Sequence, residues 1–151
     1  MTIIISILVI AGILYLIRDK DWRNTSLPIN TRRLLLLEET AMFYNTGNRS
    51  LDDYGNECRY RGRNGTSCAI GRIVDEKTLR ELHYGYEGKG VGCIFNTGVF
   101  PPHVKSLGKD FLDNIQQLHD KGYNWHSTGL SFTGVNKYEE IKHKITTKFY
   151  N

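Results

Sequence analysis

The sequence predicts an α+β protein, in which a single N-terminal transmembrane helix precedes a small, mostly helical domain with a central β-hairpin. Three observations support this fold class. Residues 1–17 carry no charged side chain. Several later segments repeat apolar residues at helical spacing. Between them, the pair Asn64-Gly65 separates two short segments of strand-like composition, which is the pattern of a hairpin turn.

The transmembrane segment is predicted over Met1–Ile17, which reads MTIIISILVIAGILYLI. A helix of this length measures roughly 25 Å, at the short end of what crosses a hydrocarbon core. Arg18 and Lys20 can extend toward the headgroups, and Trp22 suits the interface. No basic segment precedes the apolar run and no small-residue cleavage motif follows it, so we expect a retained span rather than a signal peptide.

Lysine and arginine residues predict the orientation of this span, because positive charge is favoured on the cytoplasmic side. All 20 Lys+Arg and all 16 Asp+Glu residues follow the span. We therefore expect a single-pass protein of the host inner (cytoplasmic) membrane with its N-terminus outside. The domains would be an anchor (1–17), a juxtamembrane linker (18–29) and a cytoplasmic α+β domain (30–151). The reversed orientation is the alternative.

Composition excludes some classes of protein. The net charge of +4 is too small for a dedicated nucleic-acid binder, although it favours proximity to anionic surfaces. The three cysteines, Cys58, Cys68 and Cys93, are an odd number that cannot all pair within the chain. A reducing compartment requires no pairing, so cysteine usage agrees with a cytoplasmic domain.

The first helix of the domain is predicted from Thr31 to Tyr44, where leucines form one apolar stripe. Glu38, Glu39 and Arg32 are expected on its solvent side.

Three further helices and one strand are predicted downstream. A helix from Asp75 to His83 would have Asp75 as its N-cap, and a strongly amphipathic helix would run from Lys109 to Asp120. The last helix is expected to begin near Asn136. Within a glycine-rich segment, Cys93–Phe95 is compatible with one short strand.

The central hairpin is predicted from Glu57–Arg61 and Thr66–Ile70 around the Asn64-Gly65 turn. Because side chains alternate along a strand, Arg59 and Arg61 should share one face and Tyr60 the other.

Three motifs of this chain resemble a known family. They are CRYRGRNGTSCAIG (Cys58–Gly71), the Glu87-Gly88 pair and IQQLHD (Ile115–Asp120). Together they are similar to small uncharacterised proteins of tailed bacteriophages and prophages, which share a YRG–G–CAIG core, an EG pair and an LQxxHD-like helix. The resemblance implies a phage origin, and it assigns no catalytic residue.

The anchor and the resemblance together predict a phage-encoded, membrane-anchored accessory protein. It would bind or modulate a host or phage component at the inner membrane, in exclusion of other phages, lysis control or counter-defence. Its expected partners are the membrane and a host or phage protein. No cofactor is expected, and the sequence favours binding over enzymatic activity without establishing either.

A thiol-dependent enzyme is the first alternative. Cys68 would be the nucleophile, His119 its base, and Asp120 or Asp113 would orient the imidazole, because a cysteine needs such a neighbour to ionise near neutral pH. The competing interpretation is that Cys68 is a small buried apolar residue and His119 a helix-end residue.

Binding of a nucleotide or nucleic acid is the second alternative. Arg59, Arg61, Arg63 and Arg72 would contact phosphates, and Tyr60 would stack on a base. A solvated face of the hairpin is the competing interpretation. A metal site is the third alternative, with ligands drawn from Cys58, Cys68, Cys93, His83, His103, His119 and His126. It is not favoured, because the chain lacks the CxxC and HxxxH pairs typical of structural zinc sites.

Overall fold

The computed structural model of the protein describes residues 21–52 and 58–150. Its helices, in chain order, are α1 (Ile29–Phe43), α2 (Ala69–Ile73), α3 (Glu76–Gly85), α4 (Val91–Ile94), α5 (Pro102–Lys105), α6 (Lys109–Asp120) and α7 (Phe132–Thr146). Two 3₁₀ turns lie at Arg63–Gly65 and Gly122–Asn124. Strands β1 (Trp125–His126) and β2 (Gly129–Leu130) pair antiparallel between α6 and α7.

The predicted fold class is wrong, because this is a small helical domain with a two-stranded hairpin near its end rather than at its centre. In the described ranges, no helix is long and apolar enough to cross a membrane. The longest, α1 and α7, have 15 residues each, against about 20 needed for a span. The predicted transmembrane segment, 1–17, lies outside the described residues.

The central hairpin fails for a local reason. Arg63–Gly65 winds as a 3₁₀ turn, whereas a two-residue Asn-Gly hairpin turn needs positive φ at both residues. Pairing is reduced to the single bridge Arg61↔Ser67. The predicted second strand becomes helix α2, because the Cys68 sulfur accepts a hydrogen bond from the Gly71 backbone N–H and caps the first turn.

The helices are the part of the prediction that is confirmed. Helix α6 has the predicted bounds, and α3 begins after its predicted cap, where Asp75 accepts a 2.7 Å hydrogen bond from the Thr78 N–H. Helix α1 begins two residues before the predicted start. Two details are wrong: α7 begins at Phe132 rather than near Asn136, and the predicted strand Cys93–Phe95 belongs mostly to α4.

Helix α6 is the centre of the core and contacts α1, α2, α4 and α7. Its apolar face is completely buried and consists of Phe111, Leu112, Ile115 and Leu118. Trp22, expected at a membrane interface, is instead buried in this core and stacks on His103. The C-terminal end of α6 therefore has a fixed position, and this end carries His119 and Asp120.

Two arginines of α1 are buried, although Arg32 was expected on the solvent side. The Arg32 guanidinium donates to the carbonyl oxygens of Trp22 (2.7 Å) and His103 (2.6 Å). Arg33 donates to the carbonyl oxygen of Leu107 at 2.9 Å and to that of Tyr150 at 2.5 Å. These bonds join the start of α1 to segments far along the chain.

Candidate functional site

The three motif segments meet in space around Tyr60. Its backbone N–H donates to Glu87 Oε1 at 2.9 Å, and its hydroxyl donates to the carbonyl oxygen of Lys89 at 2.6 Å. Gln116 of α6 accepts a hydrogen bond from the Ile70 N–H at the start of α2. The loop before α2, the glycine-rich loop after α3 and the end of α6 therefore form one continuous surface.

An arginine pocket opens on this surface and has a volume of about 380 Å³. It is lined by Leu51, Asp52, Arg59, Arg61, Gly62, Arg63, His83 and Glu87. Three of the four arginines predicted to contact phosphate thus lie around one cavity. The fourth, Arg72, is not part of its lining and pairs with Glu39. The described lining thus combines three arginines with the two acidic residues Asp52 and Glu87.

Ion pairs organise this arginine pocket. His83 Nδ1 lies 2.8 Å from Glu87 Oε2, and the other oxygen of Glu87 accepts from the Tyr60 N–H. Both oxygens of this carboxylate are therefore engaged. Arg61 pairs with Glu76 at the start of α3, and its side chain remains about 39% exposed. The Arg61 guanidinium can exchange this exposed partner for a ligand at small cost, since such surface pairs contribute little.

Tyr60, expected to stack on a base, lies in the core with only 4% of its surface exposed. Its hydroxyl is held by the Lys89 carbonyl oxygen. Burial and the neighbouring negative groups raise the pKa of this phenol. The structure therefore gives Tyr60 a supporting role beneath the arginine pocket.

A second cluster lies beside the arginine pocket and consists of Cys58, His119 and Asp120. One potential ligand atom from each of these residues lies within 4.8 Å of the other two. His119 Nδ1 is 2.9 Å from Asp120 Oδ1, which also accepts a 2.7 Å hydrogen bond from Gln116. A small cavity of about 100 Å³ adjoins this cluster, and Cys58, Gln116 and Asp120 are among its lining residues.

Arg49 holds the cluster together. Its guanidinium donates to the backbone carbonyl oxygens of His119 at 2.9 Å and Asp120 at 2.6 Å, at the end of α6. The His119 oxygen also accepts from the Trp125 indole N–H at 3.2 Å. The same group lies 3.3 Å from Cys58 Sγ. The N–H of Ser50 faces His119 Nε2 at 3.4 Å. Arg49 and Ser50 are thereby attached to the end of α6.

Burial sets the protonation of this cluster. Burial lowers the pKa of His119 despite the opposing effect of Asp120, so the imidazole is neutral at physiological pH. Burial, followed by the charge of Asp120, raises the pKa of Cys58 to about 12. The thiol is therefore protonated near neutrality and is a weak nucleophile without a further activating group.

Cys68, the predicted nucleophile, occupies a different environment. It has no exposed surface, and its sulfur accepts a hydrogen bond from the Gly71 N–H at 3.3 Å. Burial raises its pKa to about 12. The cysteine that the structure brings beside His119 and Asp120 is Cys58.

Sequence reasoning missed the parts played by Arg49, Glu87 and Gln116, and it considered Cys58 with His119 only as one of several combinations of metal ligands. Cys58 and Asp120 are 62 positions apart, and no local spacing indicates that they meet. Glu87 and Gln116 belong to the motifs that carry the resemblance, and this was the available signal. Arg49 follows a turn and carries no motif of its own.

Comparison with protein-family models, with curated proteins and with solved structures gave no match. The resemblance to the phage family therefore stays a prediction.

Proposed function

We propose that the protein binds a phosphate-bearing ligand, a nucleotide or a single-stranded nucleic acid, in the arginine pocket. The observation that carries this proposal is the placement of Arg59, Arg61 and Arg63 around one cavity of about 380 Å³. Guanidinium groups present several N–H donors in a planar fork that matches phosphate oxygens. The resemblance to phage proteins supports an accessory role, in which this binding modulates a host or phage component.

The described ion pairs of the pocket make Arg61 available to an anionic ligand. Glu87 is already held by His83 and by the Tyr60 N–H, so its charge is partly compensated. Within the described ranges, Arg61 forms its ion pair with Glu76, whose side chain is about 60% exposed. A phosphate can therefore compete for Arg61, whereas a neutral ligand would leave the existing pairs unchanged.

The test compares affinities for a fluorescently labelled single-stranded oligonucleotide and for adenosine triphosphate. The variants are Arg61→Ala and Arg63→Ala. The matched control is Arg80→Ala, which removes the same charge from an arginine that also lies near Glu76, at 3.8 Å, but outside the pocket. We expect each pocket variant to weaken binding about tenfold or more, because a charge-assisted hydrogen bond contributes about 1.5–3 kcal/mol.

Comparing the two ligands shows whether the pocket binds the phosphate of a nucleotide or that of a nucleic acid. Tight binding of the triphosphate with no gain from the oligonucleotide assigns the site to nucleotides, and the reverse assigns it to nucleic acid. The proposal fails when neither ligand binds, or when Arg80→Ala weakens binding as much as the pocket variants do.

A further inference from the structure

We propose that Cys58, His119 and Asp120 form a binding site for a divalent transition-metal ion, and that zinc is the ion best suited to it. A thiolate, an imidazole and a carboxylate are all ligands that zinc accepts. Among the residues that the structure describes, these three present ligand atoms within 4.8 Å of one another. This inference is independent of the arginine pocket and of its ligand.

The geometry is close to that of a bound site. Bonds from zinc to sulfur, nitrogen and oxygen measure about 2.0–2.3 Å, so ligand atoms around a tetrahedral ion lie roughly 3.5 Å apart. His119 Nδ1 and Asp120 Oδ1 are 2.9 Å apart, a hydrogen-bond distance that must widen by about 0.5 Å to admit the ion. The whole group spans at most 4.8 Å, so closure around an ion needs side-chain movement of about 1 Å.

The surrounding hydrogen bonds are those of a supported metal site, in which outer groups orient the ligands. Gln116 Nε2 donates to Asp120 Oδ1 at 2.7 Å and fixes the carboxylate. Arg49 anchors the backbone carbonyls of both ligands on α6. Its guanidinium also lies 3.3 Å from Cys58 Sγ, where it stabilises a thiolate.

Proton transfer accompanies binding. In the metal-free protein, a proton on His119 Nδ1 is shared with Asp120 Oδ1. The ion takes the place of this proton, which moves to Nε2. The Ser50 N–H faces Nε2 at 3.4 Å, a long contact that a small tilt of the ring breaks. Cys58 releases its thiol proton to solvent, so one proton leaves for each ion bound.

Three protein ligands leave one position of a tetrahedral ion for an exchangeable group. Cys58 and Asp120 both line the small cavity of about 100 Å³. This space is large enough for water or a small anion. The site therefore corresponds to an open metal centre rather than to a closed structural one.

The test titrates cobalt(II) into the full chain after a chelator has been used and removed. Cobalt(II) replaces zinc in such sites, and a bound thiolate gives a charge-transfer absorption band in the near ultraviolet. We expect one equivalent of cobalt to bind with this band, and zinc to displace it. Asp120→Asn should weaken metal binding at least tenfold, because a loss of this size is typical even when a residue that only hydrogen-bonds to a metal ligand is replaced.

Two cysteine variants make the test specific. Cys58→Ser should lose the charge-transfer band, whereas Cys93→Ser, which replaces an exposed cysteine of α4, should retain it. Circular dichroism verifies that both variants fold. The proposal is overturned by a wild-type protein that binds no cobalt, by binding without the band, or by a band that persists in folded Cys58→Ser.

Discussion

At the residue scale, Cys58 and Cys68 show how position decides the chemistry of a thiol. Cys68 caps a helix from inside the core, and its pKa is raised to about 12 by burial. Cys58 is half-buried, contacts Arg49 and lies beside a cavity. The sequence indicated Cys68 because it lies in a motif. The exposure and the neighbours of each thiol depend on the folded structure, and a motif does not specify them.

The buried thiol of Cys68 predicts a pH dependence of stability. The unfolded thiol titrates near its ordinary pKa of 9.0, and the folded one near 12. Stability from this group is therefore full below pH 9 and is lost as the pH rises further, by at most about 1.4 kcal/mol per pH unit.

Urea unfolding at several pH values between about 8 and about 10.5 gives the free energy of unfolding as a function of pH. The effect of Cys68 is the difference between the slopes of this dependence in the wild type and in Cys68→Ala. Iodoacetamide should label Cys93 in the native protein and Cys68 only after unfolding. Rapid native labelling of Cys68, or equal slopes for both proteins, would contradict the buried assignment.

At the element scale, the caps explain where sequence reasoning succeeded and failed. The start of α3 was predictable because Asp75 caps it through a local hydrogen bond. For α7, Asn136 looked like a cap. Instead, the Ser131 hydroxyl accepts from the Gly134 N–H at 3.1 Å and donates to the Tyr123 carbonyl oxygen. The second bond depends on tertiary structure, which a local pattern does not contain.

The two possible starts of α7 predict different effects of alanine substitution. Ser131→Ala should destabilise the protein by about 1–2 kcal/mol, because a helix cap and a buried hydrogen bond are lost. Asn136→Ala, within the helix, should change the free energy of unfolding by no more than about 0.5 kcal/mol. Chemical denaturation of both variants checks this, and the opposite order would contradict a helix beginning at Phe132.

At the scale of the whole molecule, long-range contacts determine which residues are buried, and composition alone does not predict them. The apolar stripe of α6 predicted one buried face of this helix, and the structure confirms that face. The apolar run at residues 1–17 dominated the sequence-based fold class, yet those residues lie outside the described part. Arg32 looked like a surface residue because its acceptors are carbonyl oxygens, which no sequence pattern specifies.

Replacing Arg32 measures how much these long-range contacts contribute to the free energy of unfolding. Arg32→Ala leaves the carbonyl oxygens of Trp22 and His103 without this donor and should lower the free energy of unfolding by about 2–3 kcal/mol. Arg80→Ala, at a side chain about 68% exposed, should stay within about 0.5 kcal/mol of wild type. Urea denaturation measures both, and similar values for the two variants would contradict the buried role of Arg32.

The central claim is that guanidinium groups of the arginine pocket bind phosphate. Its most direct test is the salt dependence of affinity for the tighter of the two ligands, in wild type and in the Arg61→Ala/Arg63→Ala double variant. We predict that the logarithm of affinity falls linearly with the logarithm of salt concentration, and that each arginine removed reduces the slope by about 1. An affinity insensitive to salt, or a slope unchanged in the double variant, would contradict the claim.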